Sequence, residues 1–313
     1  MGYRRDGGGK VCQRMGAGME KLFVTGASGF LGSRIAKYYN GKYEVCAPAH
    51  GEMDITDERG VTLALEKFMP DVVVHCAAIS DVGLCEKQPE RSRRINVDGS
   101  ANIAKASKGI GAKCILCSSD QVYFGQPAPS FYTARKEGEA LEPFPVYGQQ
   151  KLKAEQECLR VNPDCVVLRL SWMYGLEAER EGEHGDFFRA LQQQLKAGDA
   201  IKAPVYDKRG ITPVHEVVKN LEKTFAIPGG AYNFGSPNEK SHYATVYEVF
   251  KNVGLDTGRL EKNERAFCQN PRNISMCQEK INRYNIFFSP TGEALSRDLS
   301  LAICSLIGNT VLL

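Results

Sequence analysis

An α/β fold built on a parallel sheet, with a smaller C-terminal lobe, follows from three features of the 313-residue chain. From Glu20 onward, short apolar runs alternate with amphipathic stretches: KLFVTG, FLGSRIAKYYN, YEVCAPA, ERGVTLALEKFM and DVVVHCAA. This is the order of βαβαβ units, in which each parallel strand needs a crossover helix. The first run passes directly into a glycine-rich turn and out into a helix, TGASGFLGSRIA. After SWMYG the alternation gives way to charged loop and scattered helix, which predicts a second unit packed against the carboxyl ends of the sheet.

Further along, KCILCSS, CVVLRLS and AYNFGS read as strands, with INVDGSANIAKASKG and VYGQQKLKAEQECLR as the helices between them. Residues 1–18 are glycine-rich and basic without periodicity, and are expected to be a disordered extension. Residues 19–175 then form the sheet domain, which a strand near 231–236 joins later, and residues 176–313 supply most of a substrate-binding lobe. The tail LAICSLIGNTVLL is too short and interrupted to span a bilayer. It is expected to cover a core edge or a subunit contact, which admits a homodimer.

Composition excludes several classes. The chain is 42% hydrophobic, enough for a substantial core, and its formal charge of +3 is spread without a basic run or interleaved aromatics, so nucleic acid is not an expected partner. Eleven cysteines, an odd number at irregular spacing with no apolar leader ahead of them, fit a reducing cytoplasm better than a disulfide framework. The CxxC of AKCILCSSD lies in a strand, where residues three apart face opposite ways, so Cys114 and Cys117 read as core thiols and no metal is expected.

The glycine turn carries the strongest chemical signal. Gly26, Gly29 and Gly32 allow a tight turn, close approach of a pyrophosphate, and close packing of helix on strand, while the helix N-terminus adds a positive dipole. Between strand and helix, that pattern predicts a dinucleotide in a Rossmann-type domain. A second signal is Tyr147, four residues before Lys151. On a helix the two share a face, either as a catalytic pair or as an ordinary solvated surface.

Taken together, TGASGFLG, HCAA, INVDGS, SSDQVYFG and YGQQK resemble the extended short-chain dehydrogenases/reductases. With GEMDITD, PDVVVHCAAIS, LRLSWMYG and NPRNISM, they resemble the dTDP-4-dehydrorhamnose reductase family, from about Lys21 to about Met276. The resemblance implies NAD(P)H-dependent reduction of a nucleotide-linked 4-keto-6-deoxysugar. It implies Ser119, Tyr147 and Lys151 as the catalytic set. It also places Ser28, Phe30 and Leu31 with the three glycines at the cofactor, Asp54 and Ile55 beside the adenine, and Ala77 with Ala78 near its phosphates or ribose. Ser80, Asp120 and Gln121 are expected towards the substrate. Asp54 also reads as a cap for the helix starting near Glu58, and Asn96 either supports Lys151 through water or caps the following helix.

In such a site Tyr147 delivers a proton as hydride reaches the keto carbon, Ser119 holds the keto oxygen, and Lys151 holds the nicotinamide ribose while drawing the phenol pKa down. After YEVCAPA the chain offers His50 and no carboxylate until Glu52, which favours NADPH over NADH. Sugar dehydratases of similar fold carry Asp-Glu where this chain has Asp120 and Gln121, and a carboxamide cannot abstract a proton. Two alternatives stay open: a nucleotide-sugar 4-epimerase, and a non-catalytic NADP-binding regulatory subunit like the methionine adenosyltransferase β subunit, which resembles the same reductases.

Overall fold

The computed structural model describes residues 19–126, 131–176 and 186–308. The 1–18 extension therefore lies outside the described residues. Six strands make one sheet: β1 (Lys21–Thr25), β2 (Glu44–Cys46), β3 (Val72–His75), β4 (Lys113–Ser119), β5 (Val166–Leu170) and β6 (Gly230–Phe234). They lie in the order β6-β5-β4-β3-β1-β2, every pair parallel. Because β1 has β2 on one side and β3 on the other, the chain leaves it in one direction and later crosses back. A crevice therefore opens at the carboxyl ends between β1 and β3.

Alternation along the strands sorts the core into two layers. Leu22, Val24, Ile115 and Val166 face helices α1 (Phe30–Tyr39) and, later in the chain, α6 (Val214–Leu221). Phe23, Val73, Leu116 and Val167 face α2 (Glu58–Phe68) and α3 (Ser100–Ile110). The same alternation puts Cys114 and Cys117 on opposite faces. Each fully buried aliphatic side chain in these layers contributes about 1.5–3 kcal/mol. A long helix, α4 (Val146–Val161), closes the second layer through Cys158 and carries Tyr147 and Lys151.

The lobe has its own core, in which Tyr174, Phe188, Leu191, Val249 and Phe250 are buried together. Its helices are α5 (Phe187–Ala197), α7 (His242–Asn252) and α8 (Thr291–Gly308). Asp186 and Ser241 cap the first two by accepting from Arg189 N (3.0 Å) and Ala244 N (3.3 Å). In α8, Ala302 and Ile303 pack on this core while Leu301 is exposed, and residues 309–313 of the apolar tail lie outside the described residues.

His75 ends β3 deep in the sheet. Thr25 Oγ1 lies 2.6 Å from its Nδ1, and Ser100 Oγ lies 3.0 Å from its Nε2. Ser100 already donates to the Asn96 carbonyl, so it accepts from Nε2–H, and we assign the neutral tautomer with Nδ1 as acceptor. Burial, helped by the Lys151 charge, holds the imidazole pKa down at about 3. An unfolded histidine titrates near 6.5, so as pH falls from about 6.5 towards 3 the unfolded chain gains a proton that the native state refuses. Stability is therefore expected to fall across that window, and His75→Asn should flatten the slope of thermal midpoint against pH there. An unchanged slope would remove His75 from the acid response.

Candidate active site

The turn after β1 is shaped by what stands behind it. Gly26 has φ +69°, and a Cβ there would come within 2.6 Å of Ala77 N, so the chain after β3 can pack against the turn only with glycine in place. Gly29 is the N-cap of α1; it brings no side-chain cap, and the first turn holds no acidic residue. The amino end of α1 thus offers free N–H groups and its dipole to an anion. Beside it lies a cavity of about 730 Å³, bounded by Gly26, Ser28 and Gly29, by His50, Asp54 and Ile55, and by Ala77 and Ala78.

Other expected cofactor residues stand outside that cavity. Leu31 is buried in the core and Gly32 packs under Gly26, so neither presents a side chain to it. Phe30 lies 4.1 Å beneath the Arg34 guanidinium. Ser80 is exposed. Asp54 does not cap α2: Asp57 does, accepting from Arg59 N at 3.1 Å. Asp54 instead accepts from Thr56 N and Thr56 Oγ1, both at 2.8 Å, bonds that lower its pKa. Two cations that the sequence reading passed over, Arg91 and Arg94, line the same cavity.

Asn96 neither caps a helix nor reaches Lys151 directly. It sits in a π-helical turn, Arg94–Gly99, the kind of bulge that often marks a functional site. Its Oδ1 accepts from Ile79 N (2.8 Å), and its Nδ2 donates to Ile79 O and to Gln150 Oε1 (both 3.0 Å). The side chain thereby fixes the loop after β3 to the helix bearing Tyr147.

Ser119, Tyr147 and Lys151 meet where β4 ends. Gly148 lets α4 come this close, since a Cβ there would stand 2.6 Å from the Gln121 carbonyl. Lys151 Nζ donates to the Cys117 carbonyl at 2.8 Å and lies 5.9 Å from the Tyr147 ring centroid. The Tyr147 pKa is raised, not drawn down as expected: burial dominates, and the hydrogen bond with Ser119 offsets only part of it. The Lys151 ammonium is turned to the Cys117 carbonyl, and burial lowers its own pKa. Tyr147 is therefore held as a proton-bearing phenol, the form an acid catalyst needs.

Asp120 is paired with an arginine of the lobe. Arg209 Nη2 donates to both of its oxygens (3.1 and 2.9 Å), so the carboxylate is engaged before any substrate arrives; even so, burial leaves its pKa raised. The Gln121 amide N donates to Ser119 Oγ at 3.2 Å. Arg209 also stacks 4.9 Å over Trp172, and next to it Arg272 pairs with Asp207 through two bonds of 2.8 Å. These lobe arginines went unassigned in the sequence, although Arg272 stands in NPRNISM. Nothing local marks either as a partner of the sheet.

A parallel sheet opening at β1, with a glycine turn there and a Ser, Tyr and Lys gathered beyond β4, defines an extended short-chain dehydrogenase/reductase. The chain belongs to the family described as RmlD substrate binding domain, whose model matches residues 19–291. It is 33% identical to dTDP-4-dehydrorhamnose reductase of Mycolicibacterium smegmatis over 247 residues, covering 77% of this chain and 72% of the relative. It is 32% identical to methionine adenosyltransferase 2 subunit beta of Pongo abelii over 281 residues, covering 85% and 83%. Its fold matches the crystal structure of dTDP-4-dehydrorhamnose reductase from Bacillus anthracis in complex with NADP, with TM-score 0.76, 23% identity, and 90% and 98% of the two chains covered. Among the described residues no helix is long and apolar enough to cross a membrane.

Proposed function

We propose that the chain is an NADPH-dependent reductase of a nucleotide-linked 4-keto-6-deoxysugar, of the dTDP-4-dehydrorhamnose reductase type. The observation that carries this reading is the gathering of buried Ser119, Tyr147 and Lys151 where β4 ends, across the sheet from the glycine turn. The cradle fits a dinucleotide: the close-packed turn at Gly26 and the uncapped amino end of α1 suit a pyrophosphate, and the cavity beyond them suits an adenosine. When bound, the nicotinamide would supply hydride. Tyr147 then gives its proton to the oxygen on which charge develops, Ser119 holds that oxygen, and Lys151 orients the ribose. The odd number and irregular spacing of the eleven cysteines support a reducing, cytoplasmic setting.

Turnover should consume NADPH in step with appearance of a 4-hydroxy sugar when a dTDP-4-keto-6-deoxyhexose is supplied. Constant absorbance with conversion between 4-epimers would make the chain an epimerase. Its 32% identity to a methionine adenosyltransferase β subunit supports a second, regulatory reading. Tight NADPH binding without turnover across a panel of keto sugars would select it. For cofactor choice, His50 lines the cavity, while the first carboxylate after β2, Glu52, is turned back to accept from Ala49 N at 2.7 Å and stands outside the cavity lining. His50→Asp is expected to move the ratio of NADPH to NADH affinity towards NADH by about tenfold, a 1.4 kcal/mol change, through repulsion of the 2′-phosphate. An unmoved ratio in paired titrations would mean that the phosphate lies elsewhere.

A further inference from the structure

Directly behind the Ala77 wall of the cavity, two thiols face each other. Thr25, His75 and Leu116 are in register across β1, β3 and β4, so the next residues, Cys76 and Cys117, are cross-strand neighbours on one face of the sheet. Their sulfurs are 3.5 Å apart. Paired strands hold backbones about 4.8 Å apart, within the Cα range of about 4.4–6.8 Å that a disulfide requires. The pair is also reachable, because Cys76 lines the cavity while Cys117 is buried behind it.

We propose that Cys76 and Cys117 form an oxidation site that opens only through the cofactor cavity, so that a bound dinucleotide shields it and its disulfide weakens dinucleotide binding. Its chemistry does not depend on the reductase reading, whereas the shielding rests on that reading. With hydrogen peroxide as oxidant, the Cys76 sulfur, on losing its proton, attacks one peroxide oxygen and breaks the O–O bond. A sulfenic acid and one water result. Cys117 sulfur then attacks the sulfenic sulfur, forming S–S and releasing the second water as the remaining thiol proton leaves with the hydroxyl. Per peroxide, two thiols are oxidised and two waters form. Local charge favours the second step: the Cys76 hydrogen bond and the Lys151 ammonium bring the Cys117 thiol down against the effect of burial, whereas the same hydrogen bond and burial hold the Cys76 thiol up, so its attack on peroxide is the slow step.

The disulfide would draw the sulfurs from 3.5 Å to about 2.05 Å. That moves the wall segment bearing Ala77 and the Cys117 carbonyl that holds Lys151. By linkage, the disulfide weakens NADPH binding by the same factor by which bound NADPH lowers the equilibrium stability of the disulfide, while the slowing of oxidation follows access to Cys76.

Peroxide treatment followed by alkylation and peptide mapping without reduction tests this. A Cys76–Cys117 cross-link is expected, lost in Cys76→Ser and Cys117→Ser and kept in Cys85→Ser and Cys114→Ser. Saturating NADPH should slow its formation about tenfold, and the oxidised protein should bind NADPH about tenfold more weakly, with recovery on thiol reduction. Absence of a cross-link, or one made through Cys85 or Cys114, overturns the proposal. So does an unchanged rate when fluorescence titration shows NADPH bound. If titration finds no NADPH binding at all while the cross-link forms, the reductase reading fails and the thiol chemistry stands.

Discussion

Replacing Tyr147 with Phe is expected to lower keto-sugar turnover by about 10²-fold or more while leaving NADPH affinity within a few-fold. The substitution keeps the ring, its burial and its packing on Gly148 and Lys151, and removes only the hydroxyl. Loss of packing is therefore not an available explanation. Because burial holds the phenol protonated, the wild-type residue enters each cycle with its proton. Ser119 is a far weaker acid, and His75, though close in the sheet, is neutral and spent on Thr25 and Ser100. Paired measurements of kcat and of NADPH binding decide the matter: near-normal kcat would remove Tyr147 from the acid role.

Glu155→Ala should destabilise the fold by about 3–5 kcal/mol, the usual loss when one member of a buried ion pair is removed. Arg169 is almost wholly buried on β5, and its Nη2 donates to Glu155 of α4 at 2.7 Å. Ser118 Oγ donates to the same carboxylate at 2.5 Å. Arg169 also donates to Tyr123 Oη (2.8 Å), which donates to Asn233 Oδ1 on β6 (2.7 Å). Asn233 Nδ2 in turn donates to the carbonyls of Arg135 and Cys277 (2.9 and 3.0 Å). Removing Glu155 leaves a guanidinium in the core facing polar groups already engaged. Glu155→Gln, which keeps the shape, should cost less. A urea midpoint for the alanine variant close to wild type would show that Arg169 is satisfied without its carboxylate.

The parts legible in the sequence are those fixed by local geometry. The places of the six strands along the chain, the turn at Gly26 and the Tyr147–Lys151 spacing depend on periods of two and of 3.6 residues, which neighbouring residues write directly. The pairing of Asp120 with Arg209 was hidden because 89 positions separate them. The direction of the Tyr147 shift was hidden for another reason. Charge can be read from a residue type, whereas desolvation depends on everything packed around it, and here desolvation outweighs charge. The alternative reading of Asp54 as a cap missed by three residues: two aspartates flank the same turn, and only backbone direction chooses between them.

Strand β6 reaches the sheet late. It pairs with β5 from Gly230↔Val166 to Phe234↔Leu170, and everything from Trp172 to Ala226, including the first part of the lobe, is made between them. On a ribosome, which adds about 5–20 residues per second, the five earlier strands would wait several seconds with β5, buried along its whole length in the finished protein, as a bare apolar edge. The lobe is thus a delay built into synthesis. Chains arrested at Ala226 should aggregate in light-scattering measurements where chains arrested beyond Phe234 stay dispersed, and equal scattering would mean that the edge is covered by other means.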